Sequence, residues 1–309
     1  MCIESFWSLA QPLRCLAFRD QEVRPLAHPA PAHITDHPDY CEIMNPTPNT
    51  FEEACAFYTN TAEVNDGLHA AFTAQMRKEA LLAGHRYYIE ENNLGFGDPA
   101  FHYMWKLLVT YVAEVPQPRF LEIGVYKGQV LSLWALLAKE LGLDADLYAI
   151  SPMRGSPQPG PWVTRLLCAL SQRFRDRLGN GDFYDHADYL TEARNLFRHF
   201  CLDWNSVHLL RGLSQDPEIR RAAAQHTYNL IYVDGDHTYE GARADFEFYG
   251  GLLSPRGLLV ADDSGVSLPG STFWKGHPSV SKAADEVLPR LGLTNILNIG
   301  HNRVFQRLA

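Results

Sequence analysis

The sequence predicts an α/β fold: a mostly parallel sheet with helices on both faces, finished by an antiparallel hairpin and preceded by a helical cap. Three observations predict it. From residue 119 onward, short apolar runs of strand length alternate with longer stretches of helical periodicity, the pattern of parallel strands joined by right-handed crossovers. The runs RFLEIG, DLYAIS, VHLLRG, NLIYVDG and GLLVADD read as strands, mostly separated by helical stretches, which implies a parallel sheet covered on both faces. The last two runs, NILNI and RVFQR, are separated by only a few residues that include Gly300 and Asn302, which reads as a hairpin.

The elements follow in order. Residues 1–50 are rich in Pro and His and lack periodicity, so they read as an irregular arm. Residues 50–86 read as helical, with Asn49 or Thr50 as cap and Glu52 and Glu53 favourable in the first turn. A further helix is expected over residues 101–115, with Met104, Leu107, Leu108, Tyr111 and Val112 on one face. RFLEIG is a strand entering a turn, and VLSLWALLAKELG is a helix ending at Gly142. Residues 151–205 are long for one crossover and predict an insertion over the active-site edge of the sheet. The expected organisation is an arm and helical cap over residues 1–95, then the sheet domain over 96–309.

The chain has 309 residues and is 46% hydrophobic, enough for a large core, and its formal net charge is -9. An acidic balance argues against binding nucleic acid or an anionic membrane surface. No run approaches the roughly 20 apolar residues of a membrane span, and the N-terminus lacks the basic segment of a signal peptide. The six cysteines are scattered, with no C-x-x-C pair, so a cytoplasmic protein with reduced thiols is expected. The arm leaves a homo-oligomer open.

Two places carry chemistry. The first is the turn in FLEIGVYKGQVLSLWA, where Gly124 and Gly128 separate a strand from a helix. Glycine permits positive φ and close approach of backbone to ligand, and a helix N-terminus attracts an anion such as a methionine carboxylate. Glu122, in the strand just before the turn, is placed to counter an ammonium or sulfonium. The G-x-x-x-G spacing departs from the dinucleotide fingerprint G-x-G-x-x-G. A dinucleotide site and a purely packing turn remain alternatives.

The second is a pair of acid groups. NLIYV leads into Asp234, Asp236 and His237, and GLLVA leads into Asp262 and Asp263. In an open parallel sheet, ligands bind outside the carboxyl ends of the strands. If the two strands are neighbours, three carboxylates converge, a donor set suited to Mg²⁺ or Mn²⁺. Such a cation lowers the pKa of a hydroxyl and orients it. His237 is the natural base and Asp236 its competitor.

FLEIGVYKG, RGLSQD, IYVDGDHTYEGARAD and LLSPRGLLVADD together resemble class I S-adenosylmethionine-dependent methyltransferases of the catechol O-methyltransferase type. They resemble still more closely bacterial O-methyltransferases that act on natural-product sugars. The resemblance covers about residues 96–309 and implies a doubly wound, Rossmann-like methyltransferase sheet. It implies Asp234, Asp262 and Asp263 as metal ligands and His237 at the general-base position. It further implies Glu122, Gly124, Tyr126 and Gly128 at the amino-acid end of S-adenosylmethionine, with Ser214 and Gln215 at the adenine. The chain departs from the family in two places. Ser151 stands where an acid normally holds the ribose, and Gln129 and Val130 follow the second glycine where a serine is common. The expected activity is metal-assisted methylation of a small-molecule hydroxyl. A metal-independent transferase and an inactive binding protein of the same fold are the alternatives.

Overall fold

A computed structural model describes residues 47–155, 157–180, 183, 188–267 and 274–307. The arm expected over residues 1–50 lies almost wholly outside the described residues.

The helical N-terminal region divides into α1 (Phe51–Phe57), α2 (Ala62–Lys78) and α3 (Ala80–Glu91), followed by α4 (Pro99–Val112). The divisions follow local chemistry. Thr50 caps α1, its side chain accepting from Glu53 N–H, while Glu53 accepts from Asn49 N–H at 2.7 Å, much like a reciprocal capping box. Thr61 caps α2 by accepting from Val64 N–H. Pro99 stands in the first turn of α4, where its missing N–H costs nothing.

The sheet strands are β1 (Arg119–Ile123), β2 (Asp146–Ile150), β3 (Val207–Leu210), β4 (Tyr228–Val233), β5 (Leu253–Ala261), β6 (Leu293–Ile299) and β7 (Asn302–Arg307). They lie in the order β3-β2-β1-β4-β5-β7-β6. β1 to β5 pair in parallel, whereas β7 is antiparallel to both β5 and β6. The expected mostly parallel sheet with a C-terminal hairpin is therefore the observed one. Its order reverses between β1 and β4, which places the crevice for a ligand there.

Successive strand residues divide between two cores. Phe120, Leu147, Leu230, Tyr232, Leu258 and Val260 pack on one face with Phe72, Trp105 and Trp134. Leu121, Ile123, Ile150, Ile231, Val233 and Leu259 pack on the other with Phe246, Tyr249 and Ala284. This is the strict two-residue period of strands buried on both sides. The second face is covered by α9 (Pro217–Ala223), α10 (Tyr239–Gly250) and α11 (Pro278–Val287). The first is covered by α4 and by α5 (Gln129–Leu141), which ends at Gly142 in the left-handed conformation. The helices of the expected cap join this first core through Phe51, Leu68, Phe72 and Leu82.

Where α3, α4 and α5 meet, a buried polar chain runs through the apolar core. His85 Nδ1 is 3.0 Å from His102 Nε2, and His85 Nε2 is 3.0 Å from Ser132 Oγ. Ser132 donates to the Gln129 carbonyl at 2.9 Å. Burial pushes His85 down to about 3, so it is neutral and its two contacts are ordinary hydrogen bonds.

The insertion contains α6 (Pro161–Leu170), α7 (Gln172–Asn180) and α8 (Tyr189–His199). α8 returns to the body of the protein against α5. Tyr189 meets the Tyr126 ring, with centroids 4.6 Å apart, and Ala193 lies under Gly128. The insertion therefore reaches the glycine turn at the edge where ligands bind.

Candidate active site

β1 carries the chain into the glycine turn. Gly124 and Gly128 both have positive φ, 98° and 87°. A Cβ on Gly124 would overlap the Asp234 carbonyl, so only glycine lets this turn lie against the end of β4. The contact is fixed by main-chain bonds: Asp234 N–H donates to the Ile123 carbonyl at 2.8 Å, and Gly124 N–H donates to the Ile150 carbonyl at 3.0 Å. The ends of β1, β2 and β4 are thus joined around the turn.

Glu122 is 4% exposed beneath it. Burial, and then the charge of Asp234, pushes its carboxyl up to about 8, against one favourable contact with the Leu131 N–H in the first turn of α5. Its Oε2 has no hydrogen-bond partner. A buried acceptor left unpaired is costly, and a cationic group of a ligand at this turn would satisfy it. That orphaned oxygen, beneath a turn only glycine can form, is the respect in which these residues fit S-adenosylmethionine. Tyr126 sits beside the turn between the rings of Phe96 and Tyr189.

The Ser151 hydroxyl is committed to the backbone. It donates to the Val125 carbonyl at 2.7 Å and accepts from Met153 N–H at 3.0 Å. It therefore ties the end of β2 to the glycine turn instead of facing a ribose. Ser214 and Gln215 lie in the loop after β3, half-buried. The Ser214 carbonyl accepts from the Tyr249 hydroxyl at 2.6 Å and from Arg220 Nε at 3.2 Å.

The two acid groups meet, as β4 and β5 are neighbours. Asp262 N–H donates to the Val233 carbonyl at 3.0 Å, which brings Asp234, Asp262 and Asp263 to one corner. The Tyr232 hydroxyl reaches Asp234 Oδ2 at 3.3 Å. His237 Nε2 is 3.6 Å from Asp234 Oδ1 and 3.3 Å from Asp263 Oδ2. Burial and the neighbouring carboxylates raise Asp234, and they raise Asp262 well above its usual range. Asp236 turns away. Its Oδ1 accepts from Thr238 N–H at 2.9 Å, while the Thr238 side chain caps α10. Asp236 is thereby part of the helix start, and His237 is the member of the pair that faces the acids.

The structure also groups the acids differently from the expected Asp234, Asp262 and Asp263 set. Among the described residues, ligand-like spacing occurs in His237, Asp263 and His277, and in Asp262, Asp263 and His301. Asp234 is in neither group. The Asp262 Oδ1 atom is buried and makes no hydrogen bond, so the corner fits a cation. His277 and His301 escaped the sequence reading. His277 Nε2 is 3.6 Å from Asp263 Oδ2, and its ring stacks on His237 with centroids 4.8 Å apart. Gly276 explains this: its φ is 95°, and a Cβ there would overlap the Asp263 backbone. His301 occupies the hairpin turn. Because β7 runs antiparallel to β5 with Arg303 opposite Ala261, residue 301 must lie beside Asp262 and Asp263. The hairpin and the acid pair were both readable, and combining them would have found it.

A surface cavity of about 300 Å³ lined by Glu79, Lys106, Leu137 and Glu140 lies at the C-terminal end of α5, away from the glycine turn.

The comparisons agree with this architecture. Residues 121–264 match a family model described as a methyltransferase domain. No curated protein matches the chain. Among solved structures, the calicheamicin methyltransferase CalS11 is 18% identical, covering 82% of this chain and 96% of its own, with a TM-score of 0.48. The O-methyltransferase NovP is 17% identical, covering 67% and 79%, with a TM-score of 0.46. The O-methyltransferase TomG from Streptomyces achromogenes, involved in tomaymycin synthesis and solved with SAM, is 15% identical, covering 80% and 98%, with a TM-score of 0.46. These likenesses are too distant to carry function across. The match to the methyltransferase-domain model spans the glycine turn, β4 and the acid pair after β5, the same elements that build the site.

Proposed function

We propose that the protein transfers the methyl group of S-adenosylmethionine to a hydroxyl of a small molecule, with His237 as base and a divalent cation at the acid corner. The observation that carries this reading is the position of His237. Its Nε2 stands 3.3 Å from Asp263 and 3.6 Å from Asp234, at the carboxyl edge of the sheet beside the glycine turn.

S-adenosylmethionine supplies a methyl carbon on a sulfonium, open to in-line displacement. Gly124, Gly128 and the first N–H groups of α5 receive its methionine end, and Glu122 faces its positive charge. Ser214 and Gln215 flank the adenine. Ser151 acts indirectly, by holding the glycine turn in shape. A divalent cation at Asp262 and its neighbours would orient the acceptor oxygen and lower its pKa. His237 takes the hydroxyl proton on its Nε2, and Asp263 and Asp234 favour the imidazolium so formed. Positioning of the two reactants contributes about 7–11 kcal/mol, and the base roughly 10² to 10⁴-fold in rate.

The acceptor class follows from the sequence resemblance and from one feature of the site. By the sequence resemblance, a sugar hydroxyl is the favoured acceptor. Trp274, 57% exposed and in edge contact with His277 and His301, offers an apolar face to a sugar ring.

The test combines calorimetry with methyl transfer to a panel of glycosides and phenols. S-adenosylmethionine should bind, EDTA should lower the rate, and His237→Ala should lower it by about 10² to 10⁴-fold. Absence of heat at millimolar S-adenosylmethionine would make the protein a non-catalytic binder. The 3.3 Å pair of His237 and Asp263 also supports a second reading, a base that works without a cation, and a full rate in EDTA would select it.

A further inference from the structure

We propose that the cation of this corner is held by Asp262, Asp263 and His301, and that the imidazole makes it a site for a transition-metal ion rather than for Mg²⁺. This rests on the reading above that the corner takes a cation, and names which ligands and which class of ion.

Three atoms carry the proposal. His301 Nε2 is 3.6 Å from Asp262 Oδ1 and 3.7 Å from Asp263 Oδ1. Both separations exceed the roughly 2.7–3.2 Å of a hydrogen bond. Ligands bound at about 2.0–2.2 Å around a tetrahedral ion stand about 3.3–3.6 Å apart. The imidazole stands from each carboxylate at close to that separation, and the three donor atoms all lie within 4.8 Å of one another. The second observation is independent of spacing: Asp262 is 9% exposed, and its Oδ1, the atom aimed at His301, has no hydrogen-bond partner.

The backbone holds these donors in place. Ser264 N–H donates to the His301 carbonyl at 3.0 Å, and the Ser264 hydroxyl donates to the Ala261 carbonyl at 2.8 Å. Asp263 has a φ of 52°, an uncommon value for a residue with a side chain, and two segments secure it. His277 N–H donates to the Asp263 carbonyl, and Gly265 N–H donates to the Lys275 carbonyl, both at 2.8 Å. The His301 ring is fixed by edge contacts with Phe101 and Trp274, centroids 4.6 and 4.9 Å away. A rigid imidazole beside two carboxylates suits Mn²⁺, Fe²⁺, Co²⁺ or Zn²⁺, whereas Mg²⁺ favours oxygen donors alone. The Asp263 carboxylate would then be shared, Oδ1 toward the cation and Oδ2 toward His237 and His277, so that one side chain links cation and base.

The experiment strips the full-length protein with EDTA, dialyses it, and titrates Co²⁺ by visible absorption and Mg²⁺ by calorimetry. His301→Ala should weaken Co²⁺ tenfold or more and leave Mg²⁺ and S-adenosylmethionine within threefold. His237→Ala should leave Co²⁺ within threefold. His301→Gln, which retains a polar side chain in the turn, should lose Co²⁺ similarly and serves if the alanine variant melts early. Unchanged Co²⁺ affinity in both His301 variants overturns the proposal, as does loss of Co²⁺ in His237→Ala or His277→Ala instead. The methyl-transfer rate separates the two claims. An EDTA-sensitive rate with His301-independent Co²⁺ binding removes this inference and keeps the functional reading. An EDTA-insensitive rate with His301-dependent binding does the reverse.

Discussion

Replacing Glu122 by glutamine should change how stability depends on pH. Glu122 is buried beneath the glycine turn with its carboxyl pushed from 4.5 to about 8, first by burial and then by Asp234. At pH 5 the folded protein keeps the proton while the unfolded chain is already losing it. Stability from this group is therefore fully present below pH 4.5 and is lost as pH rises through 8. The displacement of about 3.5 pH units corresponds to about 5 kcal/mol at 1.36 kcal/mol per unit. The amide of the variant would carry no charge at any pH and keeps an acceptor for the Leu131 N–H. Urea unfolding of the wild type and Glu122→Gln, extrapolated to water at pH 5 and pH 8.5, measures the difference. The gap should shift by about 4 kcal/mol in favour of the variant between pH 5 and pH 8.5, the other titrating groups being common to both proteins. A gap constant to within about 1 kcal/mol would refute the claim that this carboxyl is held protonated by its surroundings.

Other outcomes follow from the same geometry. A cationic ligand above Glu122 favours its ionised form, so S-adenosylmethionine binding at pH 7 should release protons. Calorimetry in two buffers of different ionisation enthalpy reads this, and Glu122→Gln should abolish it. Gly276→Ala should destabilise the fold by at least about 2 kcal/mol in urea, since it places a Cβ against the Asp263 backbone at a φ of 95°. Ser132→Ala removes the partner of His85 Nε2 and should cost about 1–3 kcal/mol by the same assay. His85, lowered to about 3 by burial, contributes stability present above pH 6.5 and lost as pH falls toward 3. His85→Leu should flatten that acid limb in melting temperature.

The strands were legible because burial on both faces leaves apolar runs that no surface segment imitates. Phe120 and Leu121 serve opposite cores, and both had to be apolar. The helix after the glycine turn was equally plain, since Gly142 ends it in a left-handed conformation that side chains resist. The continuous helical pattern over residues 50–86 concealed breaks at residues 58–61, where Thr61 caps the next helix, and at Glu79, which is extended. In the site, the acids were readable from their place after strands. Asp236 and His237 differ by one residue, and the choice between them was not readable, because an N-cap arrangement at Thr238 claims Asp236. Ser151 was noticed as a departure, but its role as a clamp on Val125 depends on a neighbour 26 residues earlier. His277 and His301 reach the corner through a close backbone approach and a hairpin register, which leave no local mark in sequence.

The bond between Ser264 N–H and the His301 carbonyl ties two parts of the chain that lie far apart in sequence. Its acidic corner is made from residues 234, 262 and 263, and the imidazole that stands against it arrives only with the final hairpin, after β6 has been synthesised. The hairpin both covers the edge of β5 and sets His301 against Asp262 and Asp263, so the sheet edge and the corner depend on the same segment.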